Sequence, residues 1–556
     1  MKFISQKRRA SLGWMGAAAL AGLFAGCSGE ADSASGDGRG GFNDNFGGNS
    51  GAPAGQNADA GVSNEGSGGT AGAPLPPETE VQVELEVPRA GARYVFAANP
   101  RRDTVAVIDS TNLSIRTVDV GDKPSFLATV PGSDVALVIN AGSNDASIVR
   151  TTPAGSVVST VPVGAGANRL SLSPNGAFAI AWYDSRIDGG IGGATGSFQD
   201  VHLIRLASAQ NATAVDASVP LTVGFRPNGV AFSADNTSAF VINEDGVSII
   251  RFAQVTGPTV APLVPLGPVS AMGASDVSIT PDGKYALARK DGTGLVSLVD
   301  LSTAVATTVD LGSPVTDLDL SPNGLVAVAM LRDVSKMVTL PLPLGFTSEA
   351  ARIVQTFEAE KVGSAVLTPD GKSALLYTTV GNIERAVVAS IDGVNPGRPV
   401  QLRKTVRAVA ISPNSAVALV LHAKLPGDPN AAGIDLDTKI DRSYGYSVVK
   451  LADGFSKLQL TNADPGPLAI ATDSSLAFLL LRDDARDLRL TQQVDLTSLV
   501  VTDYVMGSPP LSLAVLSGTS RLFVSQVHPA GRLSFIDWKT GAVESVTGFE
   551  LNGGIK

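Results

Sequence analysis

The chain has 556 residues, 44% of them hydrophobic, a formal net charge of −10 and one cysteine. This excludes an intramolecular disulfide, a multi-thiolate zinc site, an iron–sulfur cluster and a CxxCH haem site. It also argues against nucleic acid as a partner, because an acidic chain gains nothing from counterion release.

The first residues read as an export signal. Lys2, Lys7, Arg8 and Arg9 form a positive segment, and residues 12–24 are apolar and rich in Ala, Gly and Leu. The run is short for a membrane span, which needs about 20 residues, and it stops at Leu23-Phe24-Ala25-Gly26-Cys27. Small residues at 25 and 26 let the chain lie extended in a peptidase site, and the Cys27 thiol can then form a thioether to a diacylglycerol. This stretch resembles the bacterial lipobox, with Phe24 departing from the usual small or polar residue. The resemblance implies residues 1–27 as signal and lipidation at Cys27, so that the protein meets a membrane through a lipid anchor in the cell envelope. Ser28, rather than Asp, favours the outer membrane by likeness to enteric bacteria.

Residues 28–79 are Gly, Ser, Asn, Ala and Pro with almost no aliphatic side chains. Such a segment cannot bury enough apolar area to offset chain entropy, so a disordered tether is expected. Its r.m.s. reach is about 40 Å.

From about residue 80 to 552 short apolar runs alternate with turns. The clearest turns are SPNG at 173–176, TPDG at 280–283, SPNG at 321–324 and TPDG at 368–371, with worn copies SADN at 233–236, SPNS at 412–415 and TDSS at 472–475. Pro presets φ, Asp or Asn bonds its own backbone, and Gly accepts positive φ. An apolar run lies on each side of every turn. A third run often ends in Asp (VAVID at 105–109, VSLVD at 296–300, LSFID at 533–537), and a fourth in Gly (TVDVG at 117–121, LTVG at 221–224, TVDLG at 308–312). The runs are too short for helices, and several, such as LAFLLL at 476–481, are apolar throughout, as strands buried on both faces are. Ten units start near 80, 124, 168, 228, 275, 315, 362, 406, 466 and 510. Four strands in about 45 residues is the period of an all-β propeller.

The first unit, Tyr94 to Asn99, Thr104 to Asp109, Val118 to Gly121 and then Pro124, resembles the YVTN-repeat β-propeller family. The resemblance implies fold and not chemistry. Ten units exceed the common range, which leaves one large ring, two smaller propellers, or seven to eight blades with extra strands. Two insertions, 184–200 and 423–443, interrupt units 3 and 8 between their second and third strands, which hints at a five-unit duplication. In an up-and-down blade both project from the end opposite the SPDG turns, where binding loops are expected. Tyr183, Phe198, Tyr444 and Tyr446 flank them as candidate contact aromatics.

Asp435, Asp437 and Asp441, beside Asp428, place hard oxygens at which Ca²⁺ is conceivable. Lys439 breaks the EF-hand pattern, and a solvated acidic loop is the competing reading. His202, His422 and His528 show no metal-ligand spacing, and no catalytic residue set stands out: there is no GxSxG and no P-loop. The expectation is an extracytoplasmic binding or scaffold platform for a protein or glycan. The alternatives are a periplasmic hydrolase or lactonase, and a subunit of an outer-membrane assembly complex.

Overall fold

The computed structural model describes Ala10–Ser11 and residues 90–186, 198–207, 215–272 and 276–549. Apart from Ala10–Ser11, which pair in parallel with Val277–Ser278, the proposed signal lies outside the described residues, as do Cys27 and the tether. Between residues 90 and 549 the chain forms ten antiparallel sheets in sequence order, the blades of one ten-bladed propeller. Blade 1 contributes Tyr94–Asn99, Thr104–Asp109 and Ile115–Asp119, and its expected first strand falls before the described residues. Blades 2 to 10 each run through four strands, beginning at Pro124, Arg169, Gly229, Asp276, Asp317, Ser364, Val406, Pro465 and Pro510. These starts fall within a few residues of the expected units.

Period-two alternation accounts for the continuously apolar strands. In blade 9, Ala477 and Leu479 pack into the core shared with blade 8, whereas Phe478 and Leu480 pack into the core shared with blade 10. In blade 5, Ala286 and Ala288 face blade 4 and Leu287 faces blade 6. Each of these inner strands thus feeds two cores, and alternation of polarity is lost because neither face meets water.

One ring, not two, follows from which blades share a core. Leu287 and Val296 of blade 5 pack with Leu318 and Ala327 of blade 6. Phe523 and Phe535 of blade 10 pack with Val95 and Ile108 of blade 1. Two five-bladed rings would instead pair blade 5 with blade 1. Polar contacts seal the closure: Gly518 N–H donates to the Ala92 carbonyl at 2.8 Å, and Arg521 donates to the Ser110 carbonyl at 2.7 Å.

The SPDG turns form as expected. In blade 3, Ser173 Oγ donates to Asn175 Oδ1 at 2.8 Å and accepts from the Phe178 N–H at 2.9 Å, while Gly176 takes φ +67°. The copies that lack the glycine are not simply degraded. Asn236, Ser415 and Ser474 occupy the left-handed position at φ 57°, 62° and 59°. Each uses its side chain to accept an N–H from the preceding blade's turn, from Asn175, Asp370 and Asn414 at 3.1, 3.0 and 3.1 Å. Strain at one residue is exchanged for a bond between blades.

At the opposite end, a polar residue closing the second strand reaches a buried serine in the third. Asn140 meets Ser147, Asn243 meets Ser248, His422 meets Ser447 and Gln526 meets Ser534. The same groups catch the incoming crossover from the previous blade. Gly121 N–H donates to Ser147 Oγ, Gly224 N–H to Ser248 Oγ, and Ser508 N–H to Gln526 Oε1. This explains the glycine that ends the fourth run: a Cβ on Gly224 would overlap the Asn243 carboxamide, and one on Gly121 would overlap Asp145, Ser143 and Asn140. Gly224→Ala is expected to destabilise the ring by about 1–3 kcal/mol, read as a lower midpoint in urea with an unchanged slope.

Candidate functional site

The end of the ring opposite the SPDG turns carries the crossovers between blades and both insertions. The first insertion joins Phe178–Trp182 to Asp200–Arg205, and the second joins Val417–His422 to Tyr444–Lys450. Both connect second to third strands, in blades 3 and 8. They therefore share one end and lie across the ring from each other, five blades apart either way, as the duplication requires. Residues 187–197 of the first insertion lie outside the described residues.

At blade 3 the insertion is entered from a built corner. Asp184 is buried, pairs with Arg186, and exchanges hydrogen bonds with Asn168, whose side chain accepts the Asp184 N–H at 2.8 Å. Tyr183 and Phe198 close the base of the loop, with ring centroids 6.1 Å apart, and Phe198 lies 6.2 Å from Phe225. Tyr183 is buried, Phe198 half-buried and Phe225 exposed. Arg226 stacks over Phe225 at 5.1 Å. The aromatic row thus crosses from blade 3 to blade 4. Phe225 and Arg226 were not singled out in the sequence, because they belong to a crossover and not to an insertion.

The second insertion folds on itself. Its helix, Leu436–Arg442, is capped by Asp435, whose Oδ1 accepts the Thr438 N–H at 2.7 Å. That contact accounts for Asp435, whose carboxyl it holds below the usual range. Asp437 and Asp441 instead lie near Glu384 of blade 7. Burial first, then the charges of Asp441 and Asp437, raise the Glu384 carboxyl. Among the described residues no three His, Cys, Asp or Glu side chains come together as metal ligands.

Beneath that helix sits Lys404, almost completely buried. Its ammonium donates to the Ile440 and Asp441 carbonyls at 2.6 and 3.1 Å. These carbonyls lie at the negative end of the helix and already accept the Ser443 and Leu425 N–H groups, so the ammonium adds a second donor to each and places a cation where the dipole favours one. Burial lowers the Lys404 pKa, and Asp441 and Glu384 oppose the shift. In the sequence Lys404 looked like an ordinary loop lysine in LRKTV; only its place under the insertion distinguishes it.

Of the candidate aromatics on this side, Tyr444 is half-buried with Lys424 Nζ 4.6 Å from its ring centre. Tyr446 corrects the expectation. It is fully buried in the core between blades 8 and 9, and its hydroxyl donates to Gln492 Oε1 at 3.2 Å. It stands two positions along a strand from Tyr444, but strand residues two apart share a face, and here that face is covered by the next blade.

The histidines are spoken for. His202 Nδ1 lies 3.1 Å from Ser218 Oγ, and His528 Nδ1 accepts the Ala530 N–H. His422 is buried between the Thr405 carbonyl at 3.1 Å and Ser447 Oγ at 2.7 Å. Burial, with Lys404 and Arg407 nearby, depresses it from 6.5 to about 4. Arg407 in turn bonds Asp464 and the Pro465 carbonyl, tying blade 8 to blade 9.

No family model matches the chain, and no curated protein matches it. Solved structures give distant likenesses. A eukaryotic initiation factor is 10% identical with a TM-score of 0.46, over 74% of this chain and 96% of that one. A dihydro-haem d1 dehydrogenase, NirN, is 13% identical with a TM-score of 0.39, over 63% and 71%. The Kuenenia stuttgartiensis hydrazine synthase is 14% identical with a TM-score of 0.32, over 58% and 95%. The fold assignment rests on the chain's own ten sheets.

The buried imidazole fixes the sign of one pH dependence. Its folded pKa lies below its ordinary value, so the folded state resists protonation. Its contribution is intact above 6.5 and is lost as pH falls from 6.5 towards 4. His422→Gln, which reproduces the residue at the equivalent position of blade 10, is expected to flatten the loss of urea stability across that window. The acid limb below about pH 4 should persist in the variant, because turn carboxylates such as Asp300 and Asp495 are held low by hydrogen bonds from Ser302 and Ser498.

Proposed function

We propose that this protein is a lipid-anchored cell-envelope lipoprotein whose ten-bladed ring serves as an extracytoplasmic binding or scaffold platform for a protein or glycan. The observation that carries this reading is the placement of both long insertions on one end of a closed, rigid ring. The blade 3 insertion springs from a buried Asp184–Arg186 corner, and the blade 8 insertion is held down by a buried lysine. Chain devoted to anchoring surface loops, on a scaffold whose core they do not help to form, fits recognition better than packing. Phe198 and Phe225, backed by the buried Tyr183 and with Arg226 stacked at the end of the row, offer the mixed apolar and cationic surface that interface anchors use.

The envelope address follows from the basic start, the apolar run and Cys27, and Ser28 favours the outer membrane. Within the propellers, the YVTN-like first unit favours that repeat type. The groups that an enzyme reading would recruit near blade 8 are already engaged: both His422 nitrogens, the Lys404 ammonium and the Arg407 guanidinium have internal partners.

The test is capture from intact cells expressing the full chain, with proteins and glycans both identified. Replacing 187–197 or 427–434 by a short Gly-Ser bridge is expected to leave the thermal midpoint within a few degrees of the parent and to remove the captured partner. Equal capture by both variants would contradict the assignment of the binding end. Separately, Cys27→Ser is expected to move the protein from the membrane fraction to the soluble one.

A further inference from the structure

The end that carries the SPDG turns also carries the hairpins between third and fourth strands, and a second pattern appears there. In blades 5, 8 and 9 the hairpin is closed by a residue that follows a left-handed position. These pairs are Ala304 then Val305, Gly454 then Phe455, and Leu499 then Val500. The closing residue sits opposite the last residue of the third strand: Val305 pairs with Asp300, and the Phe455 and Val500 carbonyls accept from the Lys450 and Asp495 N–H groups. In blade 7 the corresponding turn holds Val394, which follows Gly393, and in blade 6 it holds Leu344.

All five side chains are more than half exposed, from 53% at Phe455 to 76% at Val394. They come from five consecutive blades at one end of the ring. The unbroken row stops at blade 10, where Ala542 takes the position, and at blade 1, where Ser114 does; on the same end Val157 of blade 2 and Val215 of blade 3 are also exposed, at 69% and 81%. Isolated exposed apolar residues need no explanation. An apolar residue at the tip of five successive hairpins is a different matter, because those turns have no packing reason to avoid the polar residues that such loops prefer.

Topology puts the five tips on one end of a disc, spaced blade by blade around half its rim. A protein groove suits a contiguous patch. A lipid surface is flat and extended, and it accepts separate protruding side chains without shape complementarity. The turn carboxylates beside the tips are satisfied within their own hairpins: Asp300 accepts from Ser302, Asp453 from Phe455 N–H, and Asp495 from Thr497 and Ser498 N–H. They do not need to seek partners at the headgroups.

We infer that the rim of blades 5–9 rests on the bilayer through Val305, Leu344, Val394, Phe455 and Val500. This rests on the lipid anchor proposed above, whose tether, with an r.m.s. reach of about 40 Å, keeps the ring beside the membrane without choosing which end meets it. The apolar tips make that choice. The end bearing the insertions then faces away from the bilayer, free for a partner.

The chain's only cysteine is the one consumed by the lipid, which makes the test direct. Val394→Cys, Phe455→Cys and Val500→Cys in the full lipidated chain are labelled with an environment-sensitive fluorophore and reconstituted into vesicles with and without brominated lipid. Asn430→Cys, on the blade 8 insertion, is the reference. Blue-shifted emission and quenching by brominated lipid at the three rim sites, and neither at Asn430, is the expected result. Rim probes that match Asn430 in protein that floats with the vesicles would overturn the contact while leaving the anchor standing. A blue shift without quenching would mean that protein covers the rim, and would also overturn it. Protein that carries no lipid on Cys27 and does not float would remove the anchor and the contact together.

Discussion

A four-stranded sheet with two apolar faces cannot end. Each blade of this protein is covered only if another stands on either side of it, and the last blade is covered only if it meets the first. Everything else in the ring serves that requirement. Burial of both faces supplies the stabilisation, at about 25 cal/mol per Å² of apolar surface, and a single open seam between blades 10 and 1 would expose Phe523, Phe535, Val95 and Ile108 together.

Apolar contact is non-directional, so it does not by itself set how one blade is rotated against the next. Two kinds of polar pin do so, one at each end. At one end, Asn236, Ser415 and Ser474 reach into the preceding turn. At the other, pairs such as Asn243 with Ser248 hold the crossover as it arrives. The crossover pins of Asn243 and Ser248 are buried, where a lost partner would leave an unsatisfied group, whereas the turn pins of Asn236 and Ser415 lie at the solvent-exposed end. The functional end is built from the same parts. His422 is a pin of this kind, and Lys404, beside it, extends the logic from holding a crossover to holding an inserted helix. A platform whose loops are fixed by the same bonds that register its blades presents a surface with little freedom to lose on binding.

Much of this was legible from the amino acids alone. Turn chemistry at SPNG and TPDG, a Val- and Ile-rich run on each side, and the repeat near 45 residues place ten units and the ends to which their loops belong. That information is local: each turn and strand is specified within a few residues of itself. The third-strand serines were visible too, in VSLVD and LSFID, but their use was not, because a serine inside an apolar strand has meaning only once its partner is known. The aromatic expectation divided for the same reason. Tyr444 and Tyr446 look alike in sequence, and the neighbouring blade decides which is covered.

The sequence by itself thus determined the strand order within a unit, the count of ten repeat units, the two ends and the positions of the two insertions, since hydrophobic period and turn residues act over short distances. Only the tertiary structure decided that the ten units close as one ring, because closure depends on contacts such as Arg521 with Ser110, separated by 411 positions. It alone decided that Lys404 is an anchor rather than a surface charge, that Asp435 caps a helix, and that apolar hairpin tips gather on blades 5 to 9. Those outcomes depend on which chemistry meets which across the fold, and no local pattern encodes that meeting.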